Sequence, residues 1–130
     1  MFLKNMKWAL LWAVLIFILC ALPGKDVPFD DFWDEFNLDK LIHAGMFFIQ
    51  AVLLINGLRS QTKFIALSQY ARQLVFIVCV VYGGSLELLQ HYYIEGRTGS
   101  WFDFAANTVG TLVGILLFKR ASFFVKNYRK

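Results

Sequence analysis

Four long apolar runs constrain this chain more than any other feature. They cover residues 8–22, 41–58, 74–89 (extendable back to 71) and 101–118, and each holds 15 to 18 residues. A helix needs about 17–25 apolar residues to cross the hydrocarbon core of a bilayer. With a few flanking residues each run reaches that length at its short end. The whole chain is 58% hydrophobic and only 17% charged, with a mean hydropathy of +0.56, whereas soluble domains carry about a quarter charged residues. Such a chain has too little polar surface to cover itself in water. The expectation is an all-α polytopic membrane protein, a bundle of four transmembrane helices at about 6–22, 41–58, 71–90 and 101–118. No internal repeat or Ser/Gly/Pro-rich linker divides it, so residues 1–130 read as one domain.

The first run follows Lys4 and Lys7 and ends at Ala21-Leu22-Pro23-Gly24, which raises a cleaved signal peptide as an alternative. Cleavage favours small residues at the −3 and −1 positions, and Leu19-Cys20-Ala21 fits poorly, so a retained first helix is expected. Cys20 and Cys79 lie inside apolar runs at depths differing by roughly 10 Å from the helix rise. That is too far apart for a disulfide, and both read as small apolar fillers.

Charge gives the orientation. Lys4, Lys7, Arg59, Lys63, Arg72, Lys119, Arg120, Lys126, Arg129 and Lys130 are ten of the thirteen basic residues, and all fall on one side of the four spans. The nine acids fall on the other side or at its membrane edge. Short loops rich in Lys and Arg stay in the cytoplasm, so both termini are expected inside. The same distribution argues against nucleic acid as the partner for the net charge of +4, because the basic residues sit in short segments between apolar runs. In the first outer loop Phe29, Phe32, Trp33 and Phe36 recur at i, i+3, i+4 and i+7, with acids opposite. That spacing predicts a short amphipathic helix lying in the outer interface.

The polar residues inside the runs need a reason, because ionisable groups are costly in hydrocarbon. Asp39, His43 and Gln50 share one face of the second helix. Glu87 and Gln90 close the third, with Gly83 one turn from Glu87. Asp103, Asn107, Gly110 and Gly114 form one stripe on the fourth. His43, Glu87 and Asn107 each lie about one turn, or roughly 6 Å, inside the outer end. The simplest packing turns these edges toward one another and makes a polar pocket open to the outside.

These residues also carry a family resemblance. Asp39-Lys40-Leu41-Ile42-His43, then Glu87-Leu88-Leu89-Gln90, then Arg97, then Asp103 through Asn107 to Gly110 and Gly114 follow the pattern D-K-x-x-H, E-x-x-Q, a loop R, and D-x-x-x-N-x-x-G-x-x-x-G. In order and spacing the set resembles the VanZ-like family, named for a protein linked to glycopeptide (teicoplanin) resistance. The likeness covers about residues 39–118; the first helix matches only as an apolar segment. It implies a multi-pass protein of the bacterial cytoplasmic membrane and supplies no reaction.

Each residue has a plainer role beside the functional one. Asp39 suits the free N–H groups that open a helix, and Ser100 with Asp103 makes a capping-box-like pair. Gly110 and Gly114 form G-x-x-x-G, which lets another helix approach closely, within the chain or in a homo-oligomer. Asn107 can hydrogen-bond across the bundle, and Arg97 can pair with Glu95, Asp103 or a lipid phosphate. His43 and Glu87 are harder to explain structurally, since a buried carboxyl calls for a partner to share its proton.

Two functions compete. In one, the protein binds a lipid-linked or surface component of the envelope, or a partner protein, through the outer pocket. Asp39, Lys40, Gln90, Arg97 and Asn107 would contact the ligand, beside membrane lipids and the aromatics Trp33, Trp101 and Phe102. In the other, His43, Glu87 and Asp103 are the candidate catalytic residues of a small membrane enzyme using acid/base chemistry on a lipid-linked precursor. A metal variant of that reading would draw on Asp39, His43, Glu87, His91 and Asp103, with His91 at helical ligand spacing from Glu87. His91 is not in the family pattern, and no resident cofactor is expected. Neither G-x-S-x-G, nor H-E-x-x-H, nor a Walker motif is present, which favours the binding reading.

Overall fold

The computed structural model of the chain describes residues 2–22, 38–94 and 101–118, with the side chains of Leu38 and Asp39 outside that description. The expected interfacial helix at 29–36, together with Arg97 and Ser100, also lies outside the described residues. Every regular element among the described residues is a helix: α1 (Phe2–Ala21), α2 (Leu38–Arg59), α3 (Ile65–Gln69), α4 (Ala71–Tyr93) and α5 (Trp101–Leu116). α1, α2 and α4 are each long and apolar enough to cross a membrane. α5 has 16 residues, or about 24 Å of rise, and is the shorter apolar helix.

The helices run past the ends of the apolar runs. α1 begins at Phe2, α2 at Leu38, and α4 continues to Tyr93. Charge bounds an apolar run, but Lys and Arg are good helix formers whose stems lie along apolar surface while their heads reach water. Lys4, Lys7, Lys40, Arg59 and Arg72 therefore extend helices rather than end them. Lys7 sits 5.1 Å from the ring of Trp8 and Arg59 5.6 Å from that of Phe118, pairings suited to a membrane interface. The short α3 occupies part of the segment read from sequence as a basic loop.

Pair contacts give the topology. Asn5 meets Ser60, Ala9 meets Gln50, and Trp12 meets Met46, so α1 and α2 are antiparallel. Tyr82 reaches Ala13 and Gln90 reaches Cys20, so α1 and α4 run parallel. Gly110 lies against Ala44 and Gly114 against Phe48, which makes α2 and α5 parallel. The result is an up-down-up-down bundle with α2 at its centre. Among spanning residues 56% of α2 is buried, against 33% of α4 and 17% of α1. Burial on the outer helices follows one stripe each: Met6, Ala9, Ile16 and Cys20 on α1, and Ala71, Val75, Cys79, Gly83, Leu86, Glu87 and Gln90 on α4. Cys20 and Cys79 are both buried thiols.

Lipid tails are as apolar as leucine, so helices in a membrane associate through close packing and hydrogen bonds rather than the hydrophobic effect. Both devices are present. A Cβ on Gly110 would meet the backbone of Ala44, with the carbonyl carbon 2.7 Å and Cα 2.8 Å away; one on Gly114 would lie 2.8 Å from the Phe48 carbonyl oxygen. The backbones of α2 and α5 touch because these two positions carry no side chain. α1, by contrast, is held by side-chain donors. Gln50 Nε2 donates to Ala9 O (3.3 Å), Tyr82 Oη to Ala13 O (2.5 Å), and Gln90 Nε2 to Cys20 O (3.0 Å). Trp12 Nε1 returns a bond to Met46 O at 2.9 Å. A helical carbonyl has a second lone pair beyond its i+4 bond, and these donors use it.

Candidate functional site

Three helix ends meet on one side of the bundle: the start of α2, the end of α4 and the start of α5. His43, Glu87 and Asn107 sit five to six residues in from those ends, roughly 8–9 Å along each helix axis. His43 Nδ1 lies 3.0 Å from Asn107 Oδ1 and 4.0 Å from Glu87 Oε1. Asp103, in the first turn of α5, completes the group. A ring nitrogen of His43 and carboxylate oxygens of Glu87 and Asp103 all lie within 4.8 Å of one another. His43, Glu87 and Asn107 are buried, Asp103 half-buried. Residues separated by up to 64 positions thus share one small volume.

The geometry of α5 explains how Asn107 gets there. The Gly110–Ala44 contact presses α5 onto α2 one turn further along. Gly83 on α4 provides space on the other side, since a Cβ there would lie 3.3 Å from both Asn107 Cβ and Nδ2. Asn107 Nδ2 is buried and has no hydrogen-bond partner among the described residues. Thr111, one turn on, donates to the Asn107 carbonyl at 2.9 Å.

Beside this group, along the seam of α4 and α5, is a cavity of about 420 Å³, within the size range of small-molecule sites. Gly84, Leu88, Trp101 and Phe104 line it together with Tyr92, His91 and Glu87. Its rim is exposed: Leu88, Tyr92 and Trp101 stand well out of the bundle, whereas Glu87 is buried. Glu87 therefore faces both the polar group and the cavity. Trp101 and Phe104 pack edge to face with ring centres 6.3 Å apart and form one aromatic wall.

The other residues singled out in the sequence have separate places. Gln90 is fully buried and turned to the end of α1, where it bonds to Cys20 O. Gln50 likewise faces α1. Lys40 is half-buried at the start of α2. His91 lines the cavity and stacks edge-on against Tyr92 at 4.7 Å, outside the His43 group. Phe102 is exposed and is not part of the cavity wall. The sequence reading passed over Gly84 and Phe104, whose contact at 3.3 Å from a Cβ on Gly84 shapes the cavity, and over Trp12 and Tyr82 as helix-bridging donors. Aromatic residues with a polar tip in a membrane helix are the signal that could have found the last two.

A family model of VanZ/LLP1 matches residues 5–125, nearly the whole chain. The chain belongs to the VanZ/LLP1 family. The match takes in α1, which in sequence carries no motif. Neither a curated protein nor a solved structure matches the chain. In this VanZ/LLP1 chain the motif residues His43, Glu87, Asp103 and Asn107 form the polar group at the helix ends, Gly110 and Gly114 form the α2–α5 contact, and Gln90 is engaged with α1.

Proposed function

We propose that this VanZ/LLP1 protein binds an amphiphilic component of the bacterial cell envelope, carried on a lipid, at the outer leaflet of the cytoplasmic membrane. The observation that carries this reading is the sharing of Glu87 between the α4–α5 cavity and the His43 group. A ligand with an apolar chain would lie against Trp101, Phe104 and Leu88, and its polar head would reach Glu87 and the donors and acceptors behind it. The exposed rim gives sideways access from the lipid, the route a membrane-borne ligand needs. The excess of Lys and Arg beside one set of helix ends supports four spans with both termini inside, which puts this end of the bundle outside. A link to glycopeptide resistance would follow from binding a surface precursor.

A photoactivatable phospholipid and a photoactivatable polyprenyl phosphate, each added to the protein in nanodiscs, test the reading. Crosslinks are expected at Trp101, Phe104 and Tyr92, and Trp101→Ala with Phe104→Ala should reduce them several-fold. Crosslinks spread evenly over the exposed face of α1 would instead mean bulk lipid contact only. Cysteines introduced at Ser60 and Gly99 should label from opposite sides of the membrane; same-side labelling would sink the orientation.

The proximity of His43 to Glu87 and Asp103 favours a second reading, acid/base catalysis on a lipid-linked precursor. It differs in outcome: the captured lipid would be chemically changed by the wild type and unchanged by Glu87→Gln.

A further inference from the structure

We infer that His43, Glu87 and Asp103 form a binding site for one divalent first-row transition metal ion, of the zinc class. Three helices each place one metal-ligating side chain in a common volume, with the ligand atoms within 4.8 Å of one another. Small rotamer changes close that spread to the edge lengths of a tetrahedral or five-coordinate ion with bonds of about 2.0–2.2 Å. One imidazole and two carboxylates make a borderline N/O donor set. Such a set suits zinc, manganese or iron(II) better than copper(I), which wants sulfur, or calcium, which wants oxygen alone.

Asn107 supplies the independent observation. It is only 2% exposed, its Oδ1 is 3.0 Å from His43 Nδ1, and its Nδ2 is buried with no partner among the described residues. That Nδ2 points into the α4–α5 seam beside Gly83, one turn from Glu87. A buried amide donor held against this cluster calls for an oxygen acceptor. Three protein ligands leave a metal ion with an open position for a water or ligand oxygen, and Asn107 would hydrogen-bond the atom that fills it. Asn107 Oδ1 lies beside Nδ1, the same His43 nitrogen that faces Glu87 Oε1, so with Nδ1 turned to the metal Asn107 stands at the edge of the coordination sphere. The cavity reaches Glu87 and gives an ion its route in. The site is independent of the lipid reading, although the open coordination position would face a ligand in that cavity.

The test uses the full-length protein in detergent, stripped with a chelator and given zinc or cobalt(II) with no lipid added. The wild type is expected to retain about one equivalent of zinc after desalting. Its thermal unfolding should move upward with added zinc, and cobalt should produce visible ligand-field bands. His43→Ala, Glu87→Gln and Asp103→Asn should lose the bands. Asn107→Ala should weaken affinity by about 10–100-fold. His91→Ala should bind as the wild type does, which separates this site from a surface pair of His91 and Glu87. Size exclusion verifies that each variant is folded, and the near-isosteric Gln and Asn changes keep the test open if His43→Ala does not fold. A wild type holding less than about a tenth of an equivalent, or Glu87→Gln and Asp103→Asn proteins with unchanged bands, would overturn the site and leave a proton-sharing His43–Glu87 pair in its place. Lipid crosslinking that persists in stripped protein would leave the cavity reading intact when the metal fails.

Discussion

Two polar regions inside the bundle solve the same problem in different ways. Along α1, each side-chain donor meets a backbone carbonyl: Gln50, Tyr82 and Gln90 donate to Ala9, Ala13 and Cys20 carbonyls, and Trp12 donates to Met46 O, with Gln50 Oε1 left buried and without a partner among the described residues. At the ends of α2, α4 and α5, His43, Glu87, Asp103 and Asn107 crowd acceptors together. The first arrangement is what helix association needs when lipid offers no hydrophobic drive. The second exceeds what association needs, because a single asparagine would glue the helices as well. Side chains that donate to backbone carbonyls bind helix to helix; four polar side chains from three helices gathered beside a cavity make the candidate site.

The largest expected effect tests what the polar group at the bundle's end stands on, the α2–α5 contact. Gly110→Leu would drive a side chain into the Ala44 backbone, and backbone yields far less readily than a side chain. Overpacking of this kind costs about 1–3 kcal/mol and occasionally more. Folded yield should collapse and thermal stability fall, with Gly114→Leu close behind. If both proteins purify with unchanged stability, the two helices do not touch at this stripe and the site geometry fails with it.

Next in size is the α1 seam. Gln90→Leu removes the donor to Cys20 O and should destabilise by roughly 0.6–1.7 kcal/mol, between the average and the maximum found for hydrogen bonds between membrane helices. Lipid crosslinking in the α4–α5 cavity should persist. Loss of crosslinking in a stable Gln90→Leu protein would move Gln90 from the structural region into the site. Tyr82→Phe is smaller still, at about 0.6 kcal/mol, since the ring keeps its packing 5.9 Å from Phe47. It should lower the midpoint of thermal unfolding slightly and leave cavity occupancy alone.

How far the sequence made these regions legible differs too. His43, Glu87, Asp103 and Asn107 stand out because hydrocarbon cannot satisfy them, so their helical spacing alone says which faces turn inward. Gly110 and Gly114 stand out through their spacing. The α1 seam is nearly silent in sequence: its acceptors are backbone carbonyls, which every residue has, and Ala9, Ala13 and Cys20 carry no polar side chain. Gln50 and Gln90 were visible as polar, but which neighbour they face depends on how α1 crosses α2 and α4. The cavity is silent for the same reason, because Gly84 and Phe104 sit on different helices and matter only once those helices are packed. Helix ends were blurred where Lys and Arg continue a helix past its apolar run.

The smallest expected change in stability separates the two regions most cleanly. Glu87→Gln keeps the shape of the side chain and its capacity to accept and donate hydrogen bonds, so stability should move by no more than about 0.5 kcal/mol. An equivalent exchange along α1 could do no more than that either, because nothing there depends on charge. At the end of the bundle the outcome differs. The amide cannot carry a negative charge, cannot exchange a proton with His43 4.0 Å away, and is a poor metal ligand. Envelope binding or turnover, whichever the protein performs, should therefore fall steeply while the thermal midpoint holds. The measurement is paired: unfolding temperature and lipid crosslinking on the same preparation, with Gln90→Leu alongside. A Glu87→Gln protein that is as stable and as active as the wild type would put Glu87 in the same class as Gln90, a bridge between helices, and the distinction between the two polar regions would be lost.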